Sequence, residues 1–216
     1  MVVAELSDVW ILVAILCSYA LGAVPGAAIV ARRHGVDLRT TGDGNPGAWN
    51  VLEQLGWGRA WPAFVVDGTK GLLAAALGWV VVGTPPVGAA AGSLVGWLPW
   101  EGADAATLGA WPAWACVGAA MLGHAFPPWS PRQGGKSVMA FCGGAIGLVP
   151  LAALPLAVVA AVMGAAGRGS LGARIVVFSF PVAQAAVTPL WQVGWTGMLM
   201  TLIGLLFLVR RPLQAA

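Results

Sequence analysis

Apolar residues do not alternate along this chain but run in long blocks, broken by short segments rich in glycine, proline and charge. The blocks cover roughly residues 9–31, 61–82, 106–126, 138–149, 150–166, 175–190 and 194–209. About 20 apolar residues in a helix cross a hydrocarbon layer, so the pattern predicts seven membrane helices joined by short loops. The fourth and fifth blocks are short and separated only by the Pro150 corner, which predicts a bent pair that does not fully cross. Residues 83–105, with Pro85, Pro86 and Pro99, read as a long outer connection, partly re-entrant. The expected fold class is all-α, a polytopic membrane helix bundle forming one domain over residues 1–216 with no separate soluble part. Glu5 and Asp8 precede the first block and no Lys or Arg does. It therefore lacks the basic start of a signal peptide and is expected to persist as the first helix.

Composition agrees: 59% of the 216 residues are hydrophobic, 9% are charged and the mean hydropathy is +0.83, values outside the range of water-soluble domains. Cys17, Cys116 and Cys142 lie in apolar runs without metal-ligand spacing and read as small packing residues. Several of the 12 Trp residues, including Trp10, Trp57, Trp61, Trp100, Trp111 and Trp129, fall near predicted helix ends, as interfacial belts do. In the seven-span scheme all 11 basic residues lie on one side. Glu5, Asp8, Glu101 and Asp104 lie on the other, while Asp37, Asp43, Glu53 and Asp67 share the basic side. The positive-inside rule makes that side cytoplasmic, with the amino terminus outside and the carboxy terminus inside. An even number of spans would strand Arg210 and Arg211 on the wrong face. The net charge of +3 is accounted for by topology and calls for no nucleic-acid partner. A basic rim also suits anionic lipid headgroups or a phosphorylated substrate.

Three segments on the basic side carry candidate chemistry. In GVDLRTTGDGNPGAWNVLEQLG, residues 35–56, Gly42, Gly44 and Gly47 leave main-chain N–H groups open to phosphate oxygens. Arg39, Asn45 and Asn50 add side-chain donors; the plainer reading is a turn-rich loop joining two helices. In FVVDGTKGLL, residues 64–73, Asp67 and Lys70 stand three apart on one helical face. They are expected to form an ion pair at the membrane edge, with Lys70 also available to close a phosphate site. In LGHAFPPWSPRQGGKSVMAF, residues 122–141, Gly134, Gly135 and Lys136 stand at the mouth of a helix whose N-terminal amides favour an anion. Ser130 occupies the position where a Walker A loop requires glycine, so a nucleotidase reading is rejected. His124 stands at the membrane edge, where histidine more often packs or hydrogen-bonds than acts as a base.

Taken in order, GAVPGAAIVARRHGVDLRTTGDGNPGAWNVL, then DGTKG, then LGHAFP and GGKSV resemble the bacterial integral membrane glycerol-3-phosphate acyltransferases that use acyl phosphate. In that family the stretches read like Gly-Ser-Ile-Pro, Gly-Ser-Gly-Asn-x-Gly-Ala-Thr-Asn-Val, Asp-x-x-Lys-Gly, Gly-His-x-x-Pro and Gly-Gly-Lys-Gly. The resemblance covers residues 22–72 and 122–150. It implies a seven-helix fold with its amino terminus outside, in a bacterial plasma membrane. It also implies acyl transfer from acyl phosphate to the 1-hydroxyl of glycerol 3-phosphate, without a metal or bound cofactor. Carried over by position, Gly42, Gly44, Asn45, Gly47 and Asn50 line the acceptor pocket, and Gly134, Gly135 and Lys136 hold the donor phosphate. Arg39, Lys70 and His124 complete the binding set. Lys136, Asp43 and Ser170 are the catalytic candidates. Membrane lipids and other lipid-synthesis enzymes are the expected partners.

This chain departs from that pattern at several points. Asp43 replaces the loop serine and needs a cation beside it, for which Arg39 is the nearest candidate in sequence. Trp49 replaces a threonine and Glu53 an arginine, and Pro46 withdraws one backbone donor. The family's Arg-x-x-Ser becomes Arg168 and Ser170 in GRGSLGA, and its tail His-Arg-x-Asn becomes VRRPLQAA. Two other functions are therefore carried alongside: a catalytically impaired homologue that binds phosphorylated lipid precursors or regulates lipid synthesis, and a small transporter.

Overall fold

The computed structural model of the chain describes residues 2–82 and 110–209. The outer connection 83–105 and the tail from Arg210 lie outside the described residues. Among the described residues the regular structure is helical throughout: α1 Val2–Ala23, α2 Gly26–Arg32, α3 Ala48–Leu55, α4 Trp57–Val82, α5 Trp111–Ala125, α6 Val138–Leu148, α7 Pro150–Ala165, α8 Gly169–Ala185 and α9 Leu190–Val209. Among the described residues three helical stretches, Asp8–Arg32, Trp57–Val81 and Leu190–Val209, are long and apolar enough to cross a membrane.

The apolar blocks become helices with three adjustments. The first is broken at Pro25, which has no N–H to continue the ladder and separates α1 from α2. The last two helices begin earlier than their blocks, at Gly169 and Leu190, because the polar residues at their starts are carried into the first turns. The segment expected as loop over 35–56 contains α3, framed by Gly47 at its start and by Gly56, whose φ of 73° ends it. The expected bend between the fourth and fifth blocks is present, since Val149 leaves the helical region at φ −142° and ψ 69°. At about 1.5 Å per residue, the 11 residues of α6 are too short to cross a layer about 30 Å thick.

The main core gathers Trp79, Trp114, Val117, Met121, Phe141, Leu148, Phe180 and Ile203 from α4 to α9. A second apolar cluster lies under the glycine-rich loop, where Val30, Leu38, Ala48, Val51 and Ala63 pack α2, the loop and α3 onto α4. Between α4 and α6 the backbones touch. A Cβ on Gly71 would run into the Ala140 carbonyl oxygen, and one on Gly143 into the Gly68 carbonyl oxygen. This is the small-residue contact that lets membrane helices approach closely without a hydrophobic drive from water. Gly143→Leu is therefore expected to lower stability by about 3 kcal/mol or more, since rigid backbone rather than a side chain must yield. Thermal unfolding in detergent tests it, and an unchanged midpoint would refute the contact.

The chain returns repeatedly to one end of this bundle. Two helices after the start of α6, Gly169 comes so close to Trp49 that a Cβ on it would lie 3.2 Å from the indole. Four helices after that start, the Phe207 ring of α9 lies under the Lys136 ammonium, 4.8 Å from its centroid. Loop, turn and helix ends from four parts of the sequence thus meet in one place.

Candidate active site

Asn50 organises the glycine-rich loop. Its Nδ2 reaches the carbonyl oxygens of Leu38 at 3.2 Å, Thr41 at 2.9 Å and Asn45 at 3.1 Å, and its Oδ1 lies 3.4 Å from Gln54 Nε2. The side chain is 1% exposed. This differs from the expectation of Asn50 as a donor to substrate: its two amide protons are already spent on loop carbonyls, which makes it a clamp. The loop needs left-handed backbone at Gly42 and Gly44, with φ of 65° and 70°. A side chain at position 42 would also strike Asn50 Oδ1. Asp43, between them, accepts the Asn45 N–H at its Oδ1, 3.0 Å away, in a local turn. Asn45 Oδ1 itself is buried without a hydrogen-bond partner. Gly47 is buried at the start of α3.

The cation beside Asp43 is Lys136 rather than Arg39. Lys136 Nζ lies 3.0 Å from Asp43 Oδ2, while Arg39 is half-buried and its backbone N–H bonds to Asp37 Oδ1 at 3.0 Å. Sequence distance misled here, because the loop turns its acidic side chain toward α6 across the end of the bundle. The two residues nearby that differ most from the family pattern bond to each other. Trp49 Nε1 donates to Glu53 Oε1 at 2.9 Å, an i, i+4 contact along α3.

A buried charged group supports the Lys136 turn from below. Lys70 Nζ bonds to Asp67 Oδ1 at 2.6 Å and lies 3.5 Å from His124 Nδ1. Asp67 and Lys70 are only 1% and 4% exposed. The ion pair expected from their spacing is thus present, with His124 as a third member. His124 Nδ1 thus lies beside both members of the pair, 4.0 Å from Asp67 Oδ1, and Nε2 is on the other edge of the ring. That edge faces Gly135, where any side chain would strike Nε2, and the Gly135 N–H donates to the His124 carbonyl oxygen at 3.1 Å. A Cβ on Gly134 would strike the carbonyl oxygens of His124 and Ala125. The two glycines are therefore required by close packing on the end of α5, and they aim Lys136 at the loop.

Ser137 follows in the left-handed region, at φ 61° and ψ 12°, where the family pattern has glycine. Its Oγ donates to the Met121 carbonyl oxygen at 2.7 Å, which offsets a backbone cost of roughly 1–2 kcal/mol. Ser137→Gly is expected to stay within about 1 kcal/mol of the parent. Ser137→Val should lose several times more, together with activity, because a branched side chain is strained there and cannot bond. Equal thermal midpoints for the two variants would contradict this. Ser170 lies in the first turn of α8, one residue after Gly169.

Comparison with known proteins places this arrangement in a lineage. The sequence profile of the family described as glycerol-3-phosphate acyltransferase matches residues 12–213. A glycerol-3-phosphate acyltransferase 1 from Deinococcus radiodurans is 52% identical over 66 residues, which are 31% of this chain and 33% of that protein. A glycerol-3-phosphate acyltransferase from Gloeobacter violaceus is 36% identical over 191 residues, 88% of this chain and 80% of that one. The crystal structure of PlsY (YgiH), an integral membrane glycerol 3-phosphate acyltransferase, in its glycerol 3-phosphate form, superposes with a TM-score of 0.70 at 25% identity, covering 91% of this chain and 88% of that chain. With profile, long alignment and fold in agreement, this chain belongs to the glycerol-3-phosphate acyltransferase family.

Proposed function

We propose that this membrane protein moves a fatty acyl group from acyl phosphate to the 1-hydroxyl of glycerol 3-phosphate, giving lysophosphatidic acid and inorganic phosphate. The observation that carries the reading is the meeting of Lys136, on its Gly134–Gly135 turn, with the 42–47 loop. The cation then faces one anionic group at the edge of the loop, whose own Gly44 and Asn45 N–H groups are taken by the Thr41 carbonyl oxygen and Asp43 Oδ1 rather than left open as the glycine spacing suggests. Acyl phosphate is already activated, so the protein has to position the alcohol and stabilise leaving charge. The hydroxyl oxygen attacks the acyl carbon, the bond from that carbon to the phosphate oxygen breaks, and phosphate departs against Lys136. The hydroxyl proton goes to a phosphate oxygen of the acceptor. Asn45 Oδ1, buried and unpartnered, suits an acceptor hydroxyl. Arg39 at the loop's edge suits the acceptor phosphate, because Glu53 offers no positive charge there. Ser170 is the hydroxyl nearest in sequence to the Trp49 contact at Gly169 and completes the reading.

On this reading the whole chain works as one domain of seven membrane helices, the short α6 among them, in a bacterial plasma membrane with the site at the cytoplasmic face. Two contacts support it: α6 with α7, and α6 through α9, each bring the chain back to the end where Lys136 stands. The carboxy terminus then falls on the basic side, as the charge pattern requires. Lipids surround the bundle, and association with other lipid-synthesis enzymes would deliver the donor. The test is transfer of labelled acyl groups to glycerol 3-phosphate by purified protein, with acyl phosphate, acyl-CoA or acyl carrier protein as donor. Product is expected with acyl phosphate alone; product with either thioester and none with acyl phosphate would overturn the donor assignment.

A further inference from the structure

Lys136 is held on two sides by groups that differ in kind. The Phe207 ring stabilises its charge without neutralising it. The Asp43 carboxylate, 3.0 Å away, neutralises it directly. The Lys136 side chain is 12% exposed and that of Asp43 is 34% exposed, so the pair sits at the rim of the site, with the carboxylate on the more open side. An incoming phosphate and the carboxylate both need the same ammonium, and two anions crowded on one cation repel each other. Resting on the reading of Lys136 as the donor-phosphate residue, we propose that Asp43 is a built-in competitor that sets how tightly the site holds phosphate.

The competition acts in both directions. It weakens binding of the donor, and it weakens retention of inorganic phosphate, the product that must leave before another donor enters. Asp43 can move away without unravelling the loop, because Asn50 clamps three loop carbonyls independently of it. Asparagine at position 43 also keeps an oxygen to accept the Asn45 N–H while removing the charge. Serine there keeps a shorter acceptor and is the residue of the family pattern.

The experiment titrates inorganic phosphate into the detergent-purified full chain by calorimetry and compares Asp43→Asn, Asp43→Ser and Lys136→Ala with the parent. The dissociation constant is expected to fall about tenfold in both Asp43 variants, corresponding to about 1.4 kcal/mol. In acyl transfer, their KM for acyl phosphate should fall by more than kcat changes. Binding should be lost in Lys136→Ala. An unchanged or weaker dissociation constant in both Asp43 variants, with Lys136→Ala still abolishing binding, would overturn the competitor role and leave the phosphate site standing. Undiminished binding in Lys136→Ala would remove the phosphate site and the proposal with it.

Discussion

Lys136→Ala is expected to lower acyl transfer from acyl phosphate by about 10²–10³-fold, the usual cost of deleting one donor aimed at developing charge. The expectation follows from position. Lys136 is the cation at the mouth of α6, its turn is fixed by Gly134 and Gly135 against α5, and its ammonium lies against Asp43 and Phe207. Removing it leaves Asp43 as uncompensated negative charge at the point where phosphate must depart, so the defect should exceed that of losing attraction alone. Lys136→Arg should recover only part of the rate, because a planar guanidinium presents its donors in a fixed fork where a compact ammonium is needed. Initial rates at saturating and limiting donor would separate lost binding from lost transition-state stabilisation. Activity in Lys136→Ala within threefold of the parent would exclude this lysine from the reaction.

How much of this was legible beforehand depended on sequence separation. The apolar blocks announced membrane helices because a hydrocarbon crossing constrains every residue in it, and α4, α6 and α7 lie where the blocks placed them. The Asp67–Lys70 pair was legible for a similar local reason, since three residues along a helix place side chains on one face. Its third member was not, because His124 is 54 residues away from Lys70 and only the packing of α4 against α5 joins them. The partner of Asp43 is 93 residues away, so proximity in sequence points to Arg39 instead. Phe207 was hidden in another way: an aromatic residue in an apolar span looks like lipid-facing surface until the fold brings a cation to its ring. Asn50 reads from sequence as a polar donor, while the fold spends its protons on the carbonyl oxygens of the loop itself.

The second large effect is expected at Asp67, which touches neither proposed substrate. Asp67→Ala leaves the Lys70 ammonium buried at 4% exposure without its counter-ion, a change that typically costs about 3–5 kcal/mol. Water cannot readily replace the lost partner, because the pair lies within α4, a helix long and apolar enough to cross a membrane. Lys70 also lies against His124, and His124 carries the Gly135 turn on both its ring and its carbonyl oxygen. Displacement of the lysine should therefore reach Lys136. The expected result is a large fall in thermal midpoint together with loss of acyl transfer. Removing both charges in Asp67→Leu/Lys70→Met separates the two consequences, since a buried pair replaced by apolar side chains of similar size is often tolerated. That double variant should regain most of the stability while activity recovers less, because His124 then has no ammonium to fix its Nδ1. If Asp67→Ala alone unfolds at the parent's midpoint, the pair does not hold this end of the bundle together.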